Sequence, residues 1–325
     1  MSNITKPIIL NETGVAIKEA IQGLQPDSAV VVTINGASMS LKQWITNCEA
    51  GVYDSTYLGV KATITNLIDK KTFRVRLIGI NHDVIASTDE GELEPSGEKA
   101  KTTWQFYDMP MQKVNLGLPF MEDPMGSSDE DEWVGEYTSD YPCNWHGYPT
   151  AVGLRDAEQQ IFNSLPLELQ RAIKTVRKDC HIPVIYYNDY REYNSTASLI
   201  IDEMDRYGSC VNTKIFSLSA TEVGIIPNPS ENNKQHFPYS VEDNDDNEHM
   251  LEGTKYEYFN ETYAYTSEAS DDRRRPCKYN GEDYYYWLRS PNLDDSHSWG
   301  YVYNDGSVYS DGTNAGDGVA PAFCI

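Results

Sequence analysis

The sequence predicts an α+β fold of mixed short strands, two or more helices and long loops, behind a short helical N-terminal region. Three observations predict it. Apolar residues fall at helical spacing near the start of the chain and again over 154–178. Strand-like runs follow Tyr57 and close the chain after Gly318. Long polar stretches rich in Gly, Asn, Asp and Ser lie between them.

"NETGVAIKEAIQGL" carries Ile17, Ala20, Ile21 and Leu24 at helical spacing, which predicts a helix over 12–22 capped by Asn11. "SMSLKQWITNCEAG" predicts a second short helix, capped near Ser40 and stopped at Gly51. Residues 1–50 are therefore read as an attachment or oligomerisation region, the alternative being a piece that packs on the body, 51–325. "YLGVKATITNLIDKKTFRVRLIGINHD" gives two strands around an Asp69-Lys70-Lys71 turn. Residues 87–102 read as a polar loop and 122–143 as an acidic one. "GLRDAEQQIFNSLPLELQRAIKTVRK" predicts two helices. Pro166 suits the first turn of the second, and Leu169, Ile173 and Val176 form its apolar face. "FSLSATEVG" ends a strand at a capping box from Ser219 to Glu222. Residues 229–250 read as a long loop. A strand over 60–68 is expected to pair near 319–325, because an apolar terminus needs a sheet partner.

Composition narrows the function. A hydrophobic content of 39% supports a packed core. A net charge of −24 repels phosphate backbones, which argues against nucleic acid as a partner and disfavours anionic membranes. No stretch has the length and apolarity of a transmembrane helix. "MSNITKPIILNETG" lacks a basic n-region ahead of an apolar one, so no signal peptide is read. The six scattered cysteines form no CxxC and have no histidine at metal-ligand spacing, so free thiols in a chain made in a cytoplasm are expected.

The motifs that suggest chemistry are weak. "DNDDNE" (243–248) fails the calcium-loop test: Glu248 stands where the sharp turn needs Gly, and Thr254 where a bidentate Glu is needed. It reads as a solvated acidic loop, with a looser calcium site as the alternative. In "NHD", His82 and Asp83 are adjacent, so on a strand they point to opposite faces and make no dyad. His82 is read as satisfied inside a strand-to-loop turn. No nucleotide-binding or zinc-protease motif is present. "RRRPCKYNG" (273–281) reads either as local ion pairing with the preceding "SEASDD" or as an arm gripping the body. No catalytic residue, cofactor or metal is assigned, and the chain is read as a non-enzyme.

The chain closes on "YYYWLRSPNLDDSHSWGYVYNDGSVYSDGTNAGDGVAPAFCI". Trp287, Leu288 and Arg289 read as a buried strand ending at Ser290-Pro291, and 319–325 as a terminal strand. The stretch between them, 292–317, has the Tyr, Trp, Ser, Asn and Gly content of binding loops. Trp299, Tyr301, Tyr303 and Tyr309 are expected as contact residues. Asp294, Asp295, Ser296, His297, Ser298, Asn304, Ser310, Asp311 and Asn314 are expected around them. If that piece is extended, Tyr301 and Tyr303 share a face and Val302 turns inward. The bland alternative is a surface meander with turns such as Asn304-Asp305-Gly306.

Several landmarks run in order: "IGINHD" (78–83), "LRDAEQQIFNSLPLELQRAIKTVRK" (154–178), "KIFSLSATEVG" (214–224), "YEYF" (256–259), "YYWLRSPN" (285–292) and "GVAPAFCI" (318–325). Together they resemble a C-type-lectin-like domain family of gut bacteria and their phages, related in fold to the formylglycine-generating enzymes. The opening "NITKPIILNETG" is similar to the start of phage tail-associated proteins. The resemblance implies a phage virion component that binds a host surface protein or glycan through its C-terminal surface. It also implies contacts with other virion proteins through the N-terminal region, and allows a homo-oligomer. The runner-up readings are a structural virion protein and a formylglycine-generating-like oxidase. Many members of the family look like targets of diversity-generating retroelements, which scramble template adenines. Asp294, Asp295, Ser296, His297, Ser298, Tyr301, Tyr303, Asn304, Ser310, Asp311 and Asn314 are all reachable from an Asn codon; Trp299 is not.

Overall fold

The computed structural model describes residues 29–86, 95–118, 122–123, 137–138, 147–180, 209–226, 235–236, 239–240, 252–263, 274–291 and 298–325. Its first element is a hairpin. Strand β1 (Val30–Ile34) turns through Asn35 and Gly36, with φ of 49° and 80°, into β2 (Ala37–Ser40). An Asn-Gly pair accepts these left-handed angles at little cost and matches the twist of the flanking strands. Helix α1 (Leu41–Glu49) follows; its cap is Ser40, whose Oγ accepts the Gln43 N–H at 3.1 Å. Leu41, Trp44, Ile45 and Cys48 form its buried stripe.

β1 also pairs with β3 (Lys61–Asn66), which pairs with β4 (Thr72–Ile80). Then come β5 (Val84–Ala86), β6 (Pro95–Lys99), β7 (Thr102–Phe106) and β8 (Met111–Asn115). Helices α2 (Val152–Ser164) and α3 (Leu167–Ala172) lead to β9 (Val176–Cys180) and β10 (Ser209–Thr213). The C-terminal part is a series of strands: β11 (Cys277–Tyr279), β12 (Glu282–Tyr284), β13 (Tyr286–Pro291), β14 (Ser298–Val302), β15 (Val308–Gly312), β16 (Gly316–Val319) and β17 (Ala322–Cys324).

β11 and β12 pair with each other as a separate hairpin, and three sheets organise the other strands. A six-stranded antiparallel sheet runs β2-β1-β3-β4-β7-β17. A five-stranded sheet runs β15-β14-β13-β16-β8, antiparallel except for β13 against β16. A four-stranded sheet runs β10-β9-β5-β6. One core gathers Trp44, Trp104, Trp287, Trp299, Leu154 and Phe323; another gathers Ile78, Phe216, Leu218, Tyr256, Leu288 and Ala322. β13 separates them by alternation: Trp287 enters the first, and Tyr286 and Leu288 enter the second.

This architecture overturns the expected α+β class. The fold is mostly β, with several antiparallel sheets and three α-helices among the described residues. The helical signal over 154–178 is shorter than its pattern suggests. Ile173 leaves the helix in an extended conformation, and Val176 begins β9, where Lys178 alternates inward although it is charged. Pro166 caps α3 rather than opening its first turn. The helical N-terminal region fails over residues 30–40, which are a hairpin, while its second expected helix is present as α1; β1 lies inside the main sheet, so sheet pairing crosses the expected boundary at residue 50. The expected helix over 12–22 lies outside the described residues. The terminal strand does find a sheet partner, but it is β7, with β4 and then β3 beyond.

Candidate ligand-binding site

The six landmarks of the sequence converge, and what they build is a buried polar network rather than a cleft. β4 ends at Ile80, and Asn81 after it (φ 47°) turns the chain so that Asp83 is buried. Asp83 receives hydrogen bonds from Lys178 and from Thr103 Oγ1 at 2.5 Å, and the Tyr256 hydroxyl donates to its two oxygens at 2.8 and 3.0 Å. Lys178 also donates to Glu222 and to the Tyr256 hydroxyl, both at 2.8 Å. Arg289 reaches Glu222 at 2.5 Å and the carbonyls of Ser217, Asp179 and Glu252 at 3.1 Å each. The capping box is present over a tight turn: the Ser219 N–H donates to Glu222 at 3.1 Å, and the Glu222 N–H to Ser219 Oγ at 3.0 Å.

Burial alone would raise the Asp83 and Glu222 carboxyls. The cations outweigh it: Lys178 holds Asp83 well below the usual carboxylate range, and Arg289 with Lys178 lowers Glu222. Every charge here has a partner, as a buried ion cluster requires. His82 sits at the rim, its Nε2 3.2 Å from the Lys255 carbonyl and its ring 4.0 Å from that of Tyr256. Its buried Nδ1 has no hydrogen-bond partner among the described residues and lies 3.7 Å from Asp83 Oδ1, so the expected satisfied histidine is satisfied at one nitrogen only and does lie beside Asp83. Arg275 is buried and donates to the carbonyls of Val223 and Gly306, so this arginine grips the body; Arg273 and the "SEASDD" before it lie outside the described residues.

A cluster of tyrosines reaches solvent on one face of the five-stranded sheet. Tyr301 stands opposite Trp287 on β13 and opposite Tyr309 on β15, and Trp299 stands opposite Asp311. Tyr286 is level with Gly318, so Tyr285 and Asp317 share this same face one position back along each strand. Exposure rises along the face. Trp287 and Trp299 are buried in the first core, Tyr301 is half-buried, and Tyr303 and Tyr309 are 39% and 44% exposed. Ring centroids lie 6.5 Å apart for Tyr285 and Tyr301, 6.3 Å for Tyr301 and Tyr303, and 6.2 Å for Tyr303 and Tyr309. The turn after Tyr303 is held by the Tyr303 N–H to the Ser307 carbonyl at 2.8 Å, and by Arg275 on the Gly306 carbonyl. Gly318 is required beneath Tyr285: a Cβ there would come within 2.9 Å of the Tyr285 carbonyl.

The expected contact residues divide accordingly. Tyr303, Asn304, Tyr309, Asp311 and Asn314 are exposed, and Ser298, Tyr301 and Ser310 are half-buried. Val302 turns inward as alternation requires. Trp299 does not belong with the contact residues: it is 0% exposed, and its Nε1 donates to the Leu288 carbonyl at 2.7 Å. Strand β14 gives it a core to enter, which a loop would not. Asp294, Asp295, Ser296 and His297 lie outside the described residues, as does 243–248. Two residues of this face escaped sequence reasoning, Tyr285 and Asp317. The alternation Tyr285, Trp287 along "YYWLRSP" was the available signal for the first.

Among the described residues, no group of three or more His, Cys, Asp or Glu is placed to hold a metal, and no helix is long and apolar enough to cross a membrane. The five described cysteines are free; Cys277 and Cys324 are wholly buried, and burial pushes both thiols up. The family described as a domain of unknown function, DUF6273, matches residues 157–325. No curated protein and no solved structure matches the chain.

Proposed function

The chain belongs to the DUF6273 family, a domain of unknown function, and we propose that it is a non-catalytic receptor-binding component of a phage tail. In this reading it holds a host surface ligand on the sheet face of Tyr285, Tyr301, Tyr303 and Tyr309. The observation that carries the reading is the solvent-facing tyrosine cluster on a sheet whose strands β13 and β14 also send side chains into both cores. Tyrosines supply contact area at low entropic cost, and strands hold them in register. The adenine-reachable residues support the resemblance to retroelement-diversified proteins. Each one described is exposed or half-buried, whereas Trp299, which an Asn codon cannot yield, is buried. Side chains at such positions are replaceable without cost to the core. Attachment to other virion proteins is assigned to the N-terminal region, and the protein is placed in the virion after synthesis in the bacterial host cytoplasm.

The oxidase alternative draws no support from the thiols, since a buried, protonated cysteine is a poor nucleophile. The test is adsorption to host cells, with melting followed in parallel. Tyr301→Ala, Tyr303→Ala and Tyr309→Ala should keep their melting temperature and lose binding, each by about 2 kcal/mol for an anchor residue. Trp287→Ala should lose both, because it leaves a core cavity worth about 3–5 kcal/mol. Tyrosine variants that adsorb normally would refute the assignment of the site.

A further inference from the structure

We propose that the tyrosine-lined end of this face is a cation site, where Tyr285, Tyr301, Tyr303 and Tyr309 receive an ammonium group, quaternary or a protonated amine, balanced by Asp311 and Asp317. The inference rests on the reading of this face as the ligand site, and names what the site takes.

The rings carry the first part of the argument. Tyr285 and Tyr303 are nearly parallel, with planes 9° apart, and Tyr301 is nearly perpendicular to both, at 85° and 82°. Tyr309 stands at 84° to Tyr303, and its centroid is 6.3 Å from that of Tyr301. The four centroids thus form two near-equilateral triangles sharing the Tyr301–Tyr303 edge. A point about 3 Å above the middle of such a triangle is about 5 Å from each centroid, inside the roughly 6 Å over which a ring face attracts a cation. Rings in two perpendicular orientations turn π density toward such a point from more than one side.

The carboxylates carry the second part. Asp317 is 3% exposed, and its Oδ2 has no hydrogen-bond partner among the described residues. Buried carboxylate oxygens are almost always satisfied, so an orphan one is missing its partner. Register sets Asp317 beside Tyr285 on this face, and Tyr285 and Tyr301 both feel its charge together with that of Asp311. The charge that acts on Asp317 is that of Asp311, of the same sign. Two carboxylates share an aromatic surface with no cation against Asp317 among the described residues, in a chain of net charge −24 that draws cations toward it. A neutral sugar could use the rings and donate a hydroxyl to Asp317, but it would leave the like charges of the pair unbalanced.

The experiment is titration of the full chain, followed by tyrosine ring resonances and by calorimetry, with three probes: tetramethylammonium, tert-butanol as its neutral counterpart, and a methyl glycoside. Tetramethylammonium is expected to bind at least tenfold more tightly than tert-butanol. Tyr303→Ala and Asp317→Asn should each weaken it about tenfold. Tyr303→Phe should retain it, since a ring face suffices. Equal binding of tert-butanol, preference for the glycoside, or undiminished binding by Asp317→Asn would overturn the proposal. Host-cell adsorption by the same variants separates the two readings. Lost adsorption without ammonium binding overturns the cation site and leaves the ligand face standing. Ammonium binding with normal adsorption supports the cation site and overturns the attachment role.

Discussion

Asp317 and Lys178 are both buried charged residues, and their surroundings treat them in opposite ways. The Lys178 ammonium meets Asp83, Glu222 and the Tyr256 hydroxyl, so its three protons are all used. Asp317 meets no such compensation. Burial, reinforced by the like charge of Asp311, raises its carboxyl from 3.8 to about 7. The sign of the consequence follows. A carboxyl raised in the folded state binds its proton more tightly there than in the unfolded chain. Its contribution to stability is present at low pH and is lost as pH climbs from about 4 to about 7. Asp317→Asn removes that penalty. The variant should match the parent at pH 4 and be more stable at pH 8, by roughly 2 to 4 kcal/mol. Urea melts at the two pH values measure this; a variant destabilised equally at both would mean that Asp317 is a structural acceptor. A residue that costs stability and lines an exposed aromatic face fits a binding role, because ligand sites tolerate charges that a core would not.

At the scale of elements, the C-terminal strands hold the molecule together from its two sides. β17 pairs with β7 and bridges Phe216 through Ala322, while the Ile325 and Thr102 backbones exchange hydrogen bonds at 3.0 Å. Val319 and Phe323 enter the first core, and Ala320, Ala322 and Cys324 the second. Deleting 319–325 should therefore unfold the domain; a truncated protein with an unchanged circular-dichroism melt would show that the sheets stand without it. This much was legible in the sequence, because an apolar terminus has few other fates. Helix α1 was legible for a similar local reason: Ser40 and its apolar stripe act within one element. The β1–β2 hairpin was equally local, since "NG" between apolar runs signals it, and reading the start as helical passed over it. The class as a whole was not legible. Strands such as β7, "TTWQF", are buried at every position and pair only with segments far away in sequence, so no period of their own marks them. The binding face was half legible. Alternation placed Tyr301, Tyr303 and Val302, but Trp299 looked like a loop aromatic until β14 supplied a core for it.

The whole molecule combines two kinds of buried carboxyl, and together they set its response to pH. Asp83 and Glu222 are held low by Lys178 and Arg289 against the opposing effect of burial, so their stabilisation is present above the unfolded values of 3.8 and 4.5 and is lost as pH falls through their lower folded values. Glu158 behaves in the other direction. It lies wholly inside, accepting the Tyr148 hydroxyl and the Ser217 N–H, the latter at 2.6 Å; burial outweighs these bonds and raises it from 4.5 to about 7. Asp317 adds to it. Between pH 4.5 and 7 the folded chain binds more protons than the unfolded chain at these two sites, and stability falls as pH rises. Glu158 alone contributes roughly 3 kcal/mol to that fall. The net charge of −24 acts in the same direction, since self-repulsion grows as carboxyls ionise. Stability should therefore peak on the acidic side, at about pH 5, well below the neutral range, and decline on both flanks. Chemical denaturation from pH 3 to pH 8 tests this. Glu158→Gln should flatten the decline above pH 5 by about one proton and leave the acid flank, which Asp83 and Glu222 set, unchanged. A stability that kept rising to pH 8 would mean that these carboxyls ionise freely in the fold, and that Glu158 and Asp317 are hydrated rather than enclosed.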